Sequence, residues 1–261
     1  MSLLSLIILF CLLGGVLSVL AAAAFLLLPE KSRQRLLPHM VSYAIGALLC
    51  AAFLNVLPHA LEHPAVGDAH DITLTVLIGI LVFFLLEKMV LWRHCHAHDC
   101  EVHGEEDRQH AHGAARGTMI MIGDGMHNLV DGVLIGAAFL TDIHVGIVTS
   151  IAVAAHEIPQ ELGDFSILLH SGYSRIKALL INIAASLGTV IGGVAAYYGL
   201  QEAQQLVPYV LAVAAASFIY IAVADLIPSL HHRTEARVTA QQMLLIIAGV
   251  MTIFLTHSTL H

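Results

Sequence analysis

Charge is scarce in this 261-residue chain, with only 11% of residues Asp, Glu, Lys or Arg. With 58% hydrophobic residues and a mean hydropathy of +0.83, it has too little polar surface to cover a water-soluble globule. No Lys or Arg lies at the centre of any long apolar run, and nothing resembles an ATP-binding loop. These absences exclude a soluble enzyme and an ATP-driven machine, and no nucleic-acid partner is expected. The natural surroundings of such a chain are a lipid bilayer.

Apolar stretches of about 20 residues, the length of a membrane-crossing helix, number eight: 3 to 28, 39 to 61, 72 to 92, 117 to 140, 145 to 170, 174 to 200, 207 to 229 and 240 to 259. The first has no basic leader and too long an apolar run for a signal peptide, so it reads as a retained helix. The expectation is an all-α membrane protein of eight transmembrane helices, with 1–261 forming one transmembrane domain.

Basic residues then orient the chain. The connections after the first, third, fifth and seventh stretches hold Lys31, Arg33 and Arg35; Lys88, Arg93, Arg108 and Arg116; Arg175 and Lys177; and Arg233 and Arg237, which is every Lys and Arg in the chain. The intervening connections carry Glu62, Asp68, Asp71, Asp142 and Glu202. By the positive-inside rule both termini lie outside the cytoplasm of a multi-pass protein, expected in the cell (inner) membrane. Oligomeric state is not legible, because lipid-facing and partner-facing apolar surfaces look alike; a homodimer stays open.

One connection is long. Residues 93–116 form a His-rich cytoplasmic loop in this reading, with His94, Cys95, His96, His98, Cys100, His103, His110 and His112. Imidazole and thiolate together suit borderline metals such as zinc, although compositional tracts of this kind can also be polar filler. In a reducing compartment a Cys95 to Cys100 disulfide is not expected.

The fourth and fifth stretches carry the chemistry. At about 100° per residue, Asp124, His127, Asn128 and Asp131 share an arc of roughly 100°, and His156, Glu157, Gln160, Glu161 and Asp164 one of roughly 140°. His127 and His156 each lie about 15 Å from their entry surface, near the bilayer midplane. A carboxylate there costs on the order of 2.5 to 3.5 kcal/mol unless neutralised. The five acids have no Lys or Arg to meet, so a bound cation is the natural counter-charge. Mixed nitrogen and oxygen ligands suit Zn²⁺, Fe²⁺ or Mn²⁺. Protonated carboxylates and neutral imidazoles could instead act as interhelical glue, which needs far fewer polar residues. Pro159 removes the hydrogen bond to the Ala155 carbonyl and is expected to kink the fifth helix beside His156.

The segments His127-Asn-Leu-Val-Asp-Gly and His156-Glu-Ile-Pro-Gln-Glu-Leu-Gly-Asp closely resemble the signature motifs of the Zrt/Irt-like protein (ZIP) family of divalent-metal transporters. The resemblance implies a metal site on helices 4 and 5. His127, Asp131, His156 and Gln160 match its first metal position and Asn128 and Glu157 its second, with Asp131 and Gln160 at bridging positions. Gln160 stands where the closest subfamily usually carries histidine and other members glutamate. An amide is a weaker ligand than either, which leaves one ion or two as alternatives; Glu161 could compensate through a local rotation. Candidate accessory ligands are Asp124, Asp164 and, on helix 2, where the family often contributes one, Cys50 and Asn55. The family's architecture implies inverted repeats of helices 1–3 and 6–8 around helices 4 and 5. Asn55-Val-Leu-Pro58 against Asp225-Leu-Ile-Pro228 is a trace of that symmetry.

The function so implied is secondary transport of divalent transition metals, zinc first and iron, manganese or cadmium next, into the cytoplasm by alternating access. The metal is cargo, and no catalytic cofactor is expected. Two alternatives stay open. His156-Glu-Ile-Pro-Gln160 approaches the His-Glu-x-x-His of zinc hydrolases, but lacks the second imidazole and carries a proline. A metal sensor would keep the ligands without flux.

Overall fold

The computed structural model describes residues 2–96, 105–231 and 235–260, with side chains over 2–89, 122–231 and 235–259. Among them there is no strand. The helices are α1 (Leu3–Gly14), α2 (Val16–Phe25), α3 (Glu30–Ala51), α4 (Leu57–Glu62), α5 (Ala69–His96), α6 (Glu105–Thr141), α7 (Ile143–His170), α8 (Arg175–Gln201), α9 (Val207–Tyr220), α10 (Ile227–Leu230) and α11 (Ala236–Leu260).

Two prolines set the most unusual local geometry. Pro58 and Pro228 have no amide hydrogen, and their rings crowd the carbonyl four residues back. In both places the preceding backbone widens into a π turn, Ala52–Val56 between α3 and α4 and Ile221–Leu226 between α9 and α10. The two Asx-x-x-Pro segments therefore share a backbone device as well as a spelling.

Helix ends follow capping chemistry. Asp142, the one residue between α6 and α7, accepts a 2.7 Å hydrogen bond from the His144 amide, and Ser174 accepts one of 3.3 Å from the Lys177 amide at the start of α8. Gly172, at φ 87°, ends α7: its amide bonds the Leu169 carbonyl and the Tyr173 amide the Leu168 carbonyl, each at 3.1 Å. Asp68, just ahead of α5, accepts from the His70 amide at 2.9 Å and from its Nδ1 at 2.8 Å, which holds its carboxyl below the usual range.

Packing puts α7 at the centre, in contact with α1, α2, α3, α6, α8 and α11. The α6–α8 pair is pressed together by glycine. A Cβ at Gly132 would collide with the Thr189 carbonyl, and one at Gly192 with the Leu129 carbonyl. By contrast α5 and α11 turn Leu74, Leu77, Leu81, Leu85, Leu244 and Ile247 outward. An apolar outer face of that extent suits lipid rather than water.

Six stretches are long and apolar enough to cross a membrane: Leu3–Phe25, Glu30–Glu62, Ala69–Met89, Arg175–Gln201, Gln204–Leu230 and Ala236–Thr259. The chain is an integral, multi-pass membrane protein. The expected fourth and fifth spans, in α6 and α7, are helical but fall outside this set, because their polar stripes dilute the apolar average.

The stretch 93–116 differs from the expected loop. Helix α5 runs to His96 and α6 begins at Glu105, so most of it is helical. Residues 105–116 are polar, yet acids in a first turn are stabilised by the helix dipole, and Ala, Arg and Gln are good helix formers. A search for apolar runs does not detect such a helix. Of the loop ligands, His98, Cys100 and His103 lie outside the described residues; His94, Cys95, His96, His110 and His112 sit on helical backbone, with side chains outside the described set.

Candidate metal centre

The antiparallel hairpin of α6 and α7 brings the two polar stripes face to face. His127, Asp131, His156 and Glu157 each offer a ligand atom, and the four atoms lie within 4.8 Å of one another. His156, Asp131 and Glu157 are 1% exposed, and the His127 side chain 22%. The Nε2 atoms of the two histidines are 3.3 Å apart. His156 Nε2 stands 3.2 Å from Asp131 Oδ2 and 3.7 Å from Glu157 Oε1, and His127 Nε2 stands 3.8 and 3.5 Å from the same two atoms.

Those spacings have a simple meaning. A tetrahedral zinc ion with arms of about 2.0–2.2 Å sets its ligand atoms roughly 3.3–3.6 Å apart, and the five separations that involve an imidazole, 3.2 to 3.8 Å, straddle that range. The tautomer of His156 points the same way. Its Nδ1 lies 3.2 Å from the Ala152 carbonyl, which can only accept, so Nδ1 carries the hydrogen. In the neutral ring Nε2 is then a lone pair facing a carboxylate lone pair. Only a positive charge between them, a proton or a metal ion, makes that contact favourable. Neither oxygen of Asp131 or Glu157 has a hydrogen-bond partner meeting ordinary geometry, a costly state for buried charge unless a cation completes it.

Helix α7 continues unbroken past Pro159. The proline leaves the Ala155 carbonyl without its helical donor but does not interrupt the helix. Against the hydrolase reading, the missing second imidazole at Gln160 therefore stands and the interrupted helix does not.

Of the remaining expected ligands, Asp124, Glu161, Asp164 and Cys50 are not among the four gathered atoms. Asn128 is fully buried; its amide donates to the Asp124 carbonyl at 3.1 Å and to Asp124 Oδ1 at 2.9 Å, while its own oxygen accepts from Thr189 Oγ1 at 2.7 Å. Gln160 is half-buried and an electrostatic neighbour of Asp124. Glu161 is fully buried next to Asn182, and Asp164 lies near Asp124 and Glu161. Cys50 is a buried free thiol whose sulfur is not among the four gathered ligand atoms. Asn55 is buried in the first π turn, where its carbonyl accepts from His59 Nδ1 at 2.7 Å.

Sequence reasoning missed the contribution of α8. Asn182, Ser186 and Thr189 are all buried there, and their spacing of four and three residues is a polar stripe on one helix face. That signal stood in the sequence but lacked charge.

Comparisons with known proteins show the family. A family model described as "ZIP Zinc transporter" matches residues 1–257. The chain is similar to "Zinc transporter ZIP13" of Pongo abelii, 28% identical over 231 residues that cover 84% of this chain and 66% of that protein. It is 32% identical to "Zinc transporter zipt-7.2" of Caenorhabditis elegans over 275 residues, covering 84% of this chain and 58% of the relative. With "Zinc transporter ZIP4" of Homo sapiens it shares 42% over 112 residues, 43% of this chain and 17% of the human protein. The chain thus spans less than two-thirds of the length of these relatives. The match over nearly its whole length nevertheless establishes the lineage: the chain belongs to the ZIP zinc transporter family.

Proposed function

We propose that this chain carries divalent first-row metal ions, zinc foremost, with iron, manganese or cadmium as further cargo, across its membrane into the cytoplasm. The observation that carries the proposal is the buried gathering of two imidazoles and two carboxylates at tetrahedral spacing, in a chain whose relatives are named zinc transporters.

In this reading α6 and α7 complete eight spans, with both termini outside. The matching π turns support inverted repeats of spans 1–3 and 6–8. An ion drawn in by the acidic outer connections sheds water and is held by His127, Asp131, His156 and Glu157. Asn128, tied to Asp124 and Thr189, fixes the α6–α8 contact next to the ligands. That engagement favours one principal ion rather than two. Alternating access then turns the site toward the cytoplasm, where the histidines and cysteines of 94–112 accept the ion. The metal is cargo throughout.

The test is uptake into proteoliposomes of purified protein, with Zn²⁺, Fe²⁺, Mn²⁺ and Cd²⁺ offered in competition. Saturable zinc flux that the other ions reduce supports the proposal. Tight binding without flux refutes it in favour of a sensor, and cleavage of a lipid or peptide would move the reading to a hydrolase.

A further inference from the structure

A second set of polar groups lies one helical turn from the four-residue group. Glu161 follows Glu157 by four residues and Asp124 precedes His127 by three. Because α6 and α7 are antiparallel, both displacements, about 6 and 4.5 Å along the axes, run the same way, toward the end where α7 hands over to α8. Asn182 enters from α8 at that end, seven residues past Arg175.

We propose that Asp124, Glu161, Asp164 and Asn182 form a second cation site, an all-oxygen station that an ion occupies on leaving the imidazole site. The proposal rests on the transport reading above. Glu161 is 0% exposed, and neither of its carboxylate oxygens has a hydrogen bond of ordinary geometry. Asn182 is also 0% exposed and interacts with the neighbouring Glu161 carboxylate, but no contact of either amide atom meets ordinary hydrogen-bond geometry. Asp124 gives Oδ1 to Asn128 and leaves Oδ2 buried without a partner. Asp164 is an electrostatic neighbour of both carboxylates.

Acids alone could be protonated and inert. A wholly buried amide from another helix, adjacent to a buried carboxylate and without a hydrogen bond of ordinary geometry, is a different matter, since its oxygen can complete a cation's shell. The donors are carboxylate and carboxamide oxygen with no imidazole or thiolate. Such a set suits hard divalent ions and holds zinc loosely. Loose holding is what a station on an exit path requires, because an ion bound as tightly here as at the histidines would not leave.

The experiment uses the full chain, with bound Mn²⁺ read from loss of the free-ion electron paramagnetic resonance signal. Mn²⁺ favours oxygen donors, and the His-rich stretch is unchanged in every variant. Glu161→Gln is expected to lose one equivalent and His156→Ala a different one, with the double variant losing both. Asn182→Ala should weaken the second equivalent. Asn182→Asp should tighten it on the order of tenfold, because ligand charge sets affinity in oxygen sites; a merely structural amide would not give that gain. If Glu161→Gln loses nothing, or the double variant loses no more than one single variant, the second site is overturned while the imidazole site stands. If His156→Ala loses nothing while Glu161→Gln does, the imidazole site fails and the second site remains.

Discussion

His127 on α6 and His156 on α7 present their Nε2 atoms to each other 3.3 Å apart, with Asp131 Oδ2 3.2 Å from the second of them. Two imidazole nitrogens and a carboxylate oxygen at that range need a hydrogen or a metal ion among them. His127→Ala and His156→Ala should each abolish zinc flux and tight zinc binding, with the protein still present in the membrane at its normal level. Flux in proteoliposomes and membrane abundance by immunoblot read the two halves of that expectation. Undiminished flux in either variant removes the site assignment.

Thr189 acts on the site through Asn128. Thr189→Val keeps the shape and deletes the hydroxyl that donates 2.7 Å to the Asn128 oxygen. A lost partner of a metal ligand costs roughly ten- to a hundredfold in affinity, and Thr189, one residue further out, should cost at most about tenfold. Thr189→Ser should restore most of it. A zinc titration of the three proteins checks this, and equal affinity in all three would show Asn128 to be held by other means.

Gly132 sets the distance between α6 and α8. Gly132→Val would drive a side chain into the Thr189 carbonyl, and overpacking of this kind costs about 1–3 kcal/mol. A Cβ at Gly199 meets nothing within 4 Å, so Gly199→Ala is the control. Thermal unfolding in detergent should show a lowered midpoint for the first variant and none for the second.

The stretch 94–112 receives the ion after transport in this account. Its deletion should leave initial zinc flux largely intact and alter its dependence on internal zinc. Flux abolished by the deletion would place the stretch in the conduction path instead.

Much of the fold and of the candidate site was legible in the sequence, for identifiable reasons. Apolar length reveals lipid-facing helices, so the spans within α1–α5 and α8–α11 were readable. Residues 105–116 were not, because a polar helix has no apolar period. The polar stripes gave His127, Asp131, His156 and Glu157, since charge at midplane has few explanations. Cys50 was named only as an accessory candidate: its thiol is not among the four gathered ligand atoms, and sulfur in an apolar run is also ordinary core material. Pro159 suggested a kink and a freed carbonyl; the helix runs on through it, packed against six other helices. Asn182 and Thr189 went unread because uncharged polar residues in a span look like packing until their partners across the helix pair are known.

The most direct measurement is anomalous diffraction at the zinc edge from crystals of the protein grown with zinc. The account predicts a peak between α6 and α7, about 2.0–2.2 Å from His127 Nε2, His156 Nε2 and an oxygen each of Asp131 and Glu157. Zinc density elsewhere in the protein, with none among these four side chains, would contradict it.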